Sequence, residues 1–327
     1  MAHNNTSPLV IGIDVGGTKI ETALVDESGQ VVHSERQPTE SERGPDAVIQ
    51  QIVATVQKLL DRTSCELVST LGIGIAGQID KSKGVLVASP NLEWRHVPLK
   101  GPLEEALGMN VFVTNDVDAA AFGEWQFGAG RGVRDLFCVF VGTGVGAGVI
   151  SGGRMLTESK SPAWELGHVP LVFAGRACSC RHRGCLEAYA GGWAIAERAQ
   201  EQAQQDLRAA EALLSLAGSI DKISAQHVSE AFHRNDPLAK RLVEETGNYL
   251  AAAVVGMVNT FNPSLLVLGG GVIEGLPQLV EKVEETVRNH AFSAFVEDFR
   301  VRRAELGGDA GVIGGAAWAR AESTNNQ

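Results

Sequence analysis

A strand, a glycine-bearing turn and a second strand occur twice in this chain, about 130 residues apart, and that repetition constrains the fold more than any other feature. In the first copy residues 9–14 are an apolar strand-type run that ends on Asp14, Val15-Gly16-Gly17-Thr18-Lys19 is the turn, and residues 20–25 form the second strand before the polar tip Asp26-Glu27-Ser28-Gly29. In the second, residues 135–141 lead through Gly142-Thr143-Gly144-Val145-Gly146 into residues 147–150 and the tip Ser151-Gly152-Gly153. Short apolar runs flanking a glycine turn form a hairpin, not a strand-to-helix junction. Two such units imply a duplicated α/β chain whose lobes each present a glycine loop to a shared cleft. At 327 residues the chain has room for this, since single cores stop growing near that size and lobes of roughly 100–200 residues result. The expected division is a small lobe of residues 1–120 plus 309–327 and a large lobe of residues 121–308.

Between the hairpins, Val48, Ile52, Val56, Leu59 and Leu60 give helical spacing over residues 45–62, and residues 71–75 and 110–114 read as strands. The last of these ends at Asn115-Asp116 and gives way to a helical pattern over 117–127, placing an acid at a strand's carboxyl end, where α/β folds bind ligands. Asp116 and Asp118 are also ordinary helix N-cap candidates. Helical patterns cover residues 191–210, 224–233 and 237–258, followed by a strand at 265–268, the turn Gly269-Gly270-Gly271, and a closing helix after Asp309-Ala310-Gly311.

Asp14-x-Gly16-Gly17-Thr18-Lys19 joins a carboxylate suited to hydrated magnesium, glycines that open backbone N–H groups to phosphate, and a hydroxyl and an ammonium for phosphate oxygens. Its glycine spacing and strand-to-strand setting are not those of a Walker loop. Gly142, Thr143, Gly144 and Gly146 offer a second such loop, in which a side chain at Gly144 would block nucleotide far more than sugar. Gly269, Gly270 and Gly271 offer flat backbone for an adenine ring.

Cys178-x-Cys180 and Cys185, ten residues after His168, supply four borderline or soft ligands, the set of a closed, structural zinc site. His182, inside the loop, is an alternative fourth ligand. Cys-x-Cys is too close for easy disulfide formation. Glu165 and Glu187 flank the ligands, so a metal here would draw two carboxylates together, and carboxylates accept hydrogen bonds from polyol hydroxyls.

Composition narrows the rest. Hydrophobic residues make up 44% with 38 glycines, as in a glycine-rich α/β enzyme. A net charge of −11 opposes phosphate backbones, so no nucleic-acid partner is expected. Residues 1–8 are short and polar, without a signal-peptide pattern, and residues 249–273 are broken by Asn259, Asn262 and Pro263, so no membrane span is expected. Cys65 and Cys138 read as buried thiols, consistent with a reducing cytoplasm.

These motifs, with Gly74-Ile75-Ala76-Gly77 and Pro90-Asn91-Leu92, resemble bacterial sugar kinases of the ROK group (repressors, open reading frames, kinases), most closely its glucokinase-like members. The resemblance spans residues 9–317. It implies the actin-like ATPase (ribonuclease H-like) fold, ATP with Mg2+, a structural Zn2+, and transfer of the γ-phosphoryl group to the 6-hydroxyl of glucose. It places Asp116 as general base, Gly77, Asn91, Asn115, Glu165, His168 and Glu187 around the sugar, and the metal on His168, Cys178, Cys180 and Cys185. A homodimer or homotetramer working in carbohydrate metabolism and glycolysis is expected. Trp164 before Glu165, Arg181-His182 in place of a Gly-Asn pair, and Ala76 in place of proline depart from the pattern and bear on which sugar is preferred. The alternative is a kinase of N-acetylmannosamine or another amino sugar. A sugar-responsive repressor is expected less, because thirteen residues before Asp14 give no room for a winged helix.

Overall fold

The computed structural model describes residues 9–63, 67–156 and 164–325. Cys65 lies outside the described residues. The chain forms two compact units. In the first, β1 (Leu9–Val15) is buried along its length except at Asp14, as the apolar run from Leu9 to Ile13 requires of a central strand. It pairs antiparallel with β2 (Lys19–Val25), which pairs antiparallel with the polar, exposed edge strand β3 (Val31–Pro38). Helix α1 (Pro45–Asp61) opens with proline in its first turn, where the missing N–H costs nothing, and buries Val48, Ile52, Val56 and Leu59.

The chain then returns as β4 (Leu67–Ile75), parallel to β1. A small antiparallel sheet follows: β5 (Gln78–Asp80), β6 (Val85–Ser89) and β7 (Trp94–Pro98). After α2 (Lys100–Leu107), β8 (Asn110–Asn115) lies parallel to β4 and runs directly into α3 (Asp116–Gln126). Val15 is opposite Ile75 and Ile75 opposite Asn115, so the three parallel strands end level with one another.

The second unit repeats the scheme. β9 (Leu136–Val141) pairs antiparallel with β10 (Val145–Ser151), and β11 (Arg154–Met155) is the edge. Helices α4 (Glu187–Ala190), α5 (Gly192–Gln205), α6 (Glu211–Ala217), α7 (Ala225–His233) and α8 (Pro237–Phe261) precede β12 (Leu265–Gly269), which is parallel to β9. Helices α9 (Gly271–Gly275), α10 (Gln278–His290) and α11 (Ser293–Val296) lead to β13 (Arg300–Arg303), parallel to β12. Helix α12 (Ala310–Asn325) then rejoins the first unit. The sheet orders β3-β2-β1-β4-β8 and β11-β10-β9-β12-β13 are the same topology, the ribonuclease H-like plan twice. The expected helix over residues 191–210 ends at Gln205, and Cys138 is buried in β9.

The described residues of the first unit run to Gly132, include Met155, the last residue of β11, and Leu156, and resume at Glu305, against expected bounds at residues 120 and 309. The reason is α3, which belongs wholly to the first unit and packs along α12. Its Glu124, fully buried, accepts hydrogen bonds from the N–H groups of Ala129, Glu305 and Leu306 at 2.9, 3.1 and 2.8 Å. One carboxylate thus ties both connecting segments to the first unit.

Helix α12 lies on β1 and β4 at backbone distance. A Cβ at Gly12 would stand 1.8 Å from the Val312 carbonyl oxygen, and one at Gly72 1.8 Å from that of Gly315. Gly12→Ala or Gly72→Ala should therefore lower unfolding free energy by about 3 kcal/mol, the upper range for overpacking. Gly256→Ala, on an exposed interior turn of α8 with open space around it, should raise it by about 1 kcal/mol. Urea denaturation of the three variants checks both signs.

Candidate active site

In the first unit, the level strand ends gather the expected residues. Asn115 is the N-cap of α3: its Oδ1 accepts from the N–H groups of Val117 and Asp118 at 2.9 and 3.2 Å, and its Nδ2 donates to the Gly77 carbonyl at 3.0 Å. Capping thus falls to Asn115, and Asp116 stands at the first helical position. The Asn115 side chain also hydrogen-bonds the Asp116 carboxylate, which helps to stabilise its charged form. Asp118 is paired with Lys81 at 2.7 Å in a nearly buried ion pair.

On the facing turn, Gly16 donates to the Lys19 carbonyl at 2.9 Å, and Thr18 is exposed. Lys19 leans on Glu21 at 3.5 Å, while Arg36 holds the same carboxylate at 2.7 Å. A Cβ at Gly17 would come within 3.2 Å of the Asn91 carbonyl oxygen, so the exposed Asn91 sits beside this turn. Asp14, Gly17, Gly77, Asn91, Asn115 and Asp116 are thereby collected at one end of one sheet.

The two acids there are held above the ordinary carboxylate range. Burial, followed by the charge of Asp116, pushes Asp14 up to about 7, with Lys19 opposing. Burial likewise pushes Asp116 up to about 6, against the stabilising hydrogen bond from the Val117 N–H. A carboxyl group whose folded pKa is raised favours the fold while protonated, below its unfolded value near 4, and that contribution is lost as pH rises through 6 to 7.

In the second unit, the loop from Gly142 to Gly146 sits on the start of α5: Gly192 N–H donates to the Gly142 carbonyl at 2.9 Å and Trp193 N–H to that of Thr143 at 3.2 Å. With these carbonyls drawn to the helix N-terminus, Thr143 lies exposed at the turn. The Gly269-Gly270-Gly271 turn follows β12, whose Gly269 is opposite Phe140 of β9. Gly270 has φ 89° and approaches the Val141 backbone too closely for any side chain. Both glycine turns therefore stand at the carboxyl ends of two adjacent parallel strands, at the same end of the second sheet.

Glu187, buried at the start of α4, lies against the first of these loops. Its Oε2 accepts from the Val145 N–H at 3.1 Å; its Oε1 accepts from the Ser179 hydroxyl at 2.9 Å and the Trp193 indole at 3.2 Å. A Cβ at Gly144 would fall 2.4 Å from Glu187 Oε2. That bears on the expectation that a side chain at Gly144 disturbs nucleotide far more than sugar: it would displace Glu187 as well. Ser179 and Trp193 were not among the expected site residues, because nothing in their spacing separates them from ordinary loop and helix positions.

His168, Cys178, Cys180 and Cys185 converge, their ligand atoms all within 4.8 Å of one another. Cys178 Sγ is 3.7 Å from His168 Nδ1, and Cys180 Sγ is 3.7 Å from Cys185 Sγ. Tetrahedral zinc with bonds of about 2.3 Å to sulfur separates sulfurs by about 3.8 Å, so the set fits that ion. His182 is exposed, with its carbonyl accepting from the Cys178 N–H, and does not join. Burial pushes the Cys185 thiol up to about 12, with the neighbouring thiols adding to it, and raises Cys178 in the same way. His168 Nε2 faces Glu165, 4.0 Å from its half-exposed carboxylate, while Nδ1 faces the sulfurs. Trp164 packs edge-on against Phe261 at 5.1 Å, and Arg181, in the Gly-Asn position of the resemblance, takes the left-handed φ of 72° that glycine favours.

A doubled ribonuclease H-like sheet with glycine turns and an acid at its strand ends defines the actin-like ATPase class of phosphotransfer proteins. Within it, this chain belongs to the ROK family, whose profile matches residues 10–322. It is 34% identical over 316 residues to the glucokinase of Streptomyces coelicolor, covering 95% of this chain and 98% of that one. It is 35% identical over 309 residues to the glucokinase of Thermotoga maritima, covering 94% and 96%. A ROK family glucokinase from Streptomyces griseus, solved in complex with glucose and AMPPNP, superposes with a TM-score of 0.80 at 35% identity over 96% of this chain and 99% of its own.

The raised Asp116 gives a stability test separate from turnover. Asp116→Asn should melt higher than wild type at pH 8, where the native carboxylate is ionised against its surroundings, and show no such gain below pH 4. Thermal melts across that range check the crossover.

Proposed function

We propose that this chain is an ATP-dependent hexose kinase, transferring the γ-phosphoryl group of ATP to the 6-hydroxyl of glucose. The observation that carries this reading is the placement of Asp116, relieved of capping by Asn115 and with a carboxyl group held at about 6. It is ionised at neutral pH yet more basic than an ordinary aspartate, the balance a general base needs. In the reaction the 6-hydroxyl proton passes to the Asp116 carboxylate as the sugar oxygen bonds to the γ-phosphorus. The bond to the bridging oxygen breaks, and ADP leaves with that electron pair.

Family membership and relatives that are glucokinases over nearly their whole length support the same reading. Gly77, Asn91, Asn115, Glu165, His168 and Glu187 would hold the sugar. Asp14, Gly16, Gly17, Thr18 and Lys19, with Gly142, Thr143, Gly144 and Gly146, would receive the phosphates on backbone N–H groups, and Gly269, Gly270 and Gly271 the adenine. Mg2+ bound near Asp14 would neutralise charge on the phosphates. Zn2+ on the closed Cys3His set would be structural, fixing His168 so that Nε2 is presented on the Glu165 side.

The described residues contain no helix long and apolar enough to cross a membrane. We place the enzyme in the cytoplasm, in glycolysis, as a homodimer or homotetramer without a nucleic-acid partner. The reduced thiols of the metal set and the net charge of −11 are consistent with that setting.

Two experiments test the reading. Asp116→Asn should fold and bind glucose but lose about 10²-fold or more in kcat; near-normal kcat would remove Asp116 from the chemistry. The purified protein should hold about one zinc per chain, the content of one closed site. Cys180→Ser should lose it and raise the KM for glucose more than that for ATP, as metal analysis beside steady-state kinetics would show.

A further inference from the structure

We infer that Ser179 and Trp193 are positioning residues that lock Glu187 into the one orientation serving both the sugar and the 142–146 loop. This rests on the kinase reading above. A carboxylate has about four acceptor positions. In Glu187 both on Oε1 are filled, by the Ser179 hydroxyl at 2.9 Å and the Trp193 indole N–H at 3.2 Å. On Oε2 one is filled by the Val145 N–H at 3.1 Å. A single acceptor position remains, on the oxygen that also holds the loop.

The donors come from different parts of the second unit. Ser179 lies between two of the clustered cysteines, Trp193 on the first turn of α5, and Val145 at the start of β10. Since Glu187 is only 9% exposed, water is a poor substitute for any of them. The space over Gly144 is also occupied by Oε2, so a rotated carboxylate would press on the loop. Correct orientation of one side chain therefore sets two things: which hydroxyl the remaining acceptor meets, and where the loop backbone stands.

Removing either donor frees Oε1 to turn while keeping all four Cys3His residues and Asp116. The Ser179 hydroxyl also lies 3.9 Å from Cys178 Sγ, which is why zinc content is followed beside the kinetics. Trp193→Phe, which keeps an aromatic ring, and Ser179→Ala should each raise the KM for glucose about 10-fold, the scale of one charge-assisted hydrogen bond. The KM for ATP should rise several-fold, with kcat less affected, and Ser179→Thr, which restores a hydroxyl, should recover most of the loss. Hydrogen exchange at the peptide containing Val145 should quicken in the two deletion variants, while zinc content stays at the wild-type value. Both KM values within twofold of wild type, with exchange at Val145 unchanged, would overturn the assignment. Absence of glucose-dependent ADP release by the wild-type protein would instead overturn the kinase reading beneath it.

Discussion

The first unit depends on a helix that touches backbone, not side chains. Helix α12 comes from the far end of the sequence and closes on β1 and β4 at positions where Gly12 and Gly72 leave no room for a Cβ. The consequence reaches the site directly. The start of α12 brings Gly311 so near Asp14 that a Cβ there would stand 2.6 Å from the Asp14 carboxyl carbon, and α12 also packs along α3, whose first residue is Asp116. Two acids are thus fixed at the end of one sheet and desolvated there, and desolvation is the leading cause of their raised pKa values.

The second unit solves a different problem, that of holding irregular chain in a set shape. The segment between β11 and α5 contains little regular structure among its described residues, and its order comes from polar and soft atoms instead. The Cys3His set joins one part of it and Glu187 another, with Ser179 contributing to the second from within the first. A metal on the first would therefore stiffen a loop that also anchors the carboxylate beside the Gly142 to Gly146 turn. Such outer-sphere support is as much a part of a site as the groups that touch ligand.

The sequence was most informative where backbone pattern and chemistry coincide. The hairpins around Gly16-Gly17 and Gly142 to Gly146 lie at the positions their apolar runs indicate, and the Asn115-Asp116 junction is a strand end followed by a helix. His168, Cys178, Cys180 and Cys185 meet as their spacing suggests. Less legible was the small sheet of β5, β6 and β7: its strands span three to five residues, and Glu93 and His96 adopt left-handed backbone that no local propensity signals. Strand β3, polar and largely exposed, lacks alternation to announce it. The role of Glu124 as clasp is tertiary, set by Glu305 and Leu306 from the far end of the sequence, whereas Ser179 and Trp193 reach Glu187 from eight and six residues away across irregular chain that carries no periodic signal. The two acids at Asn115-Asp116 and Asp118 could be separated only once the cap and the Lys81 pair were placed.

The central claim, glucose as the phosphoryl acceptor, is tested most directly by following ADP release with ATP against glucose, mannose, fructose, glucosamine and the N-acetylhexosamines, with phosphorus NMR of each product. The account predicts that glucose gives the highest kcat/KM and a phosphate ester at its 6-position. A higher kcat/KM for N-acetylmannosamine, or ADP release that no hexose stimulates, would contradict it.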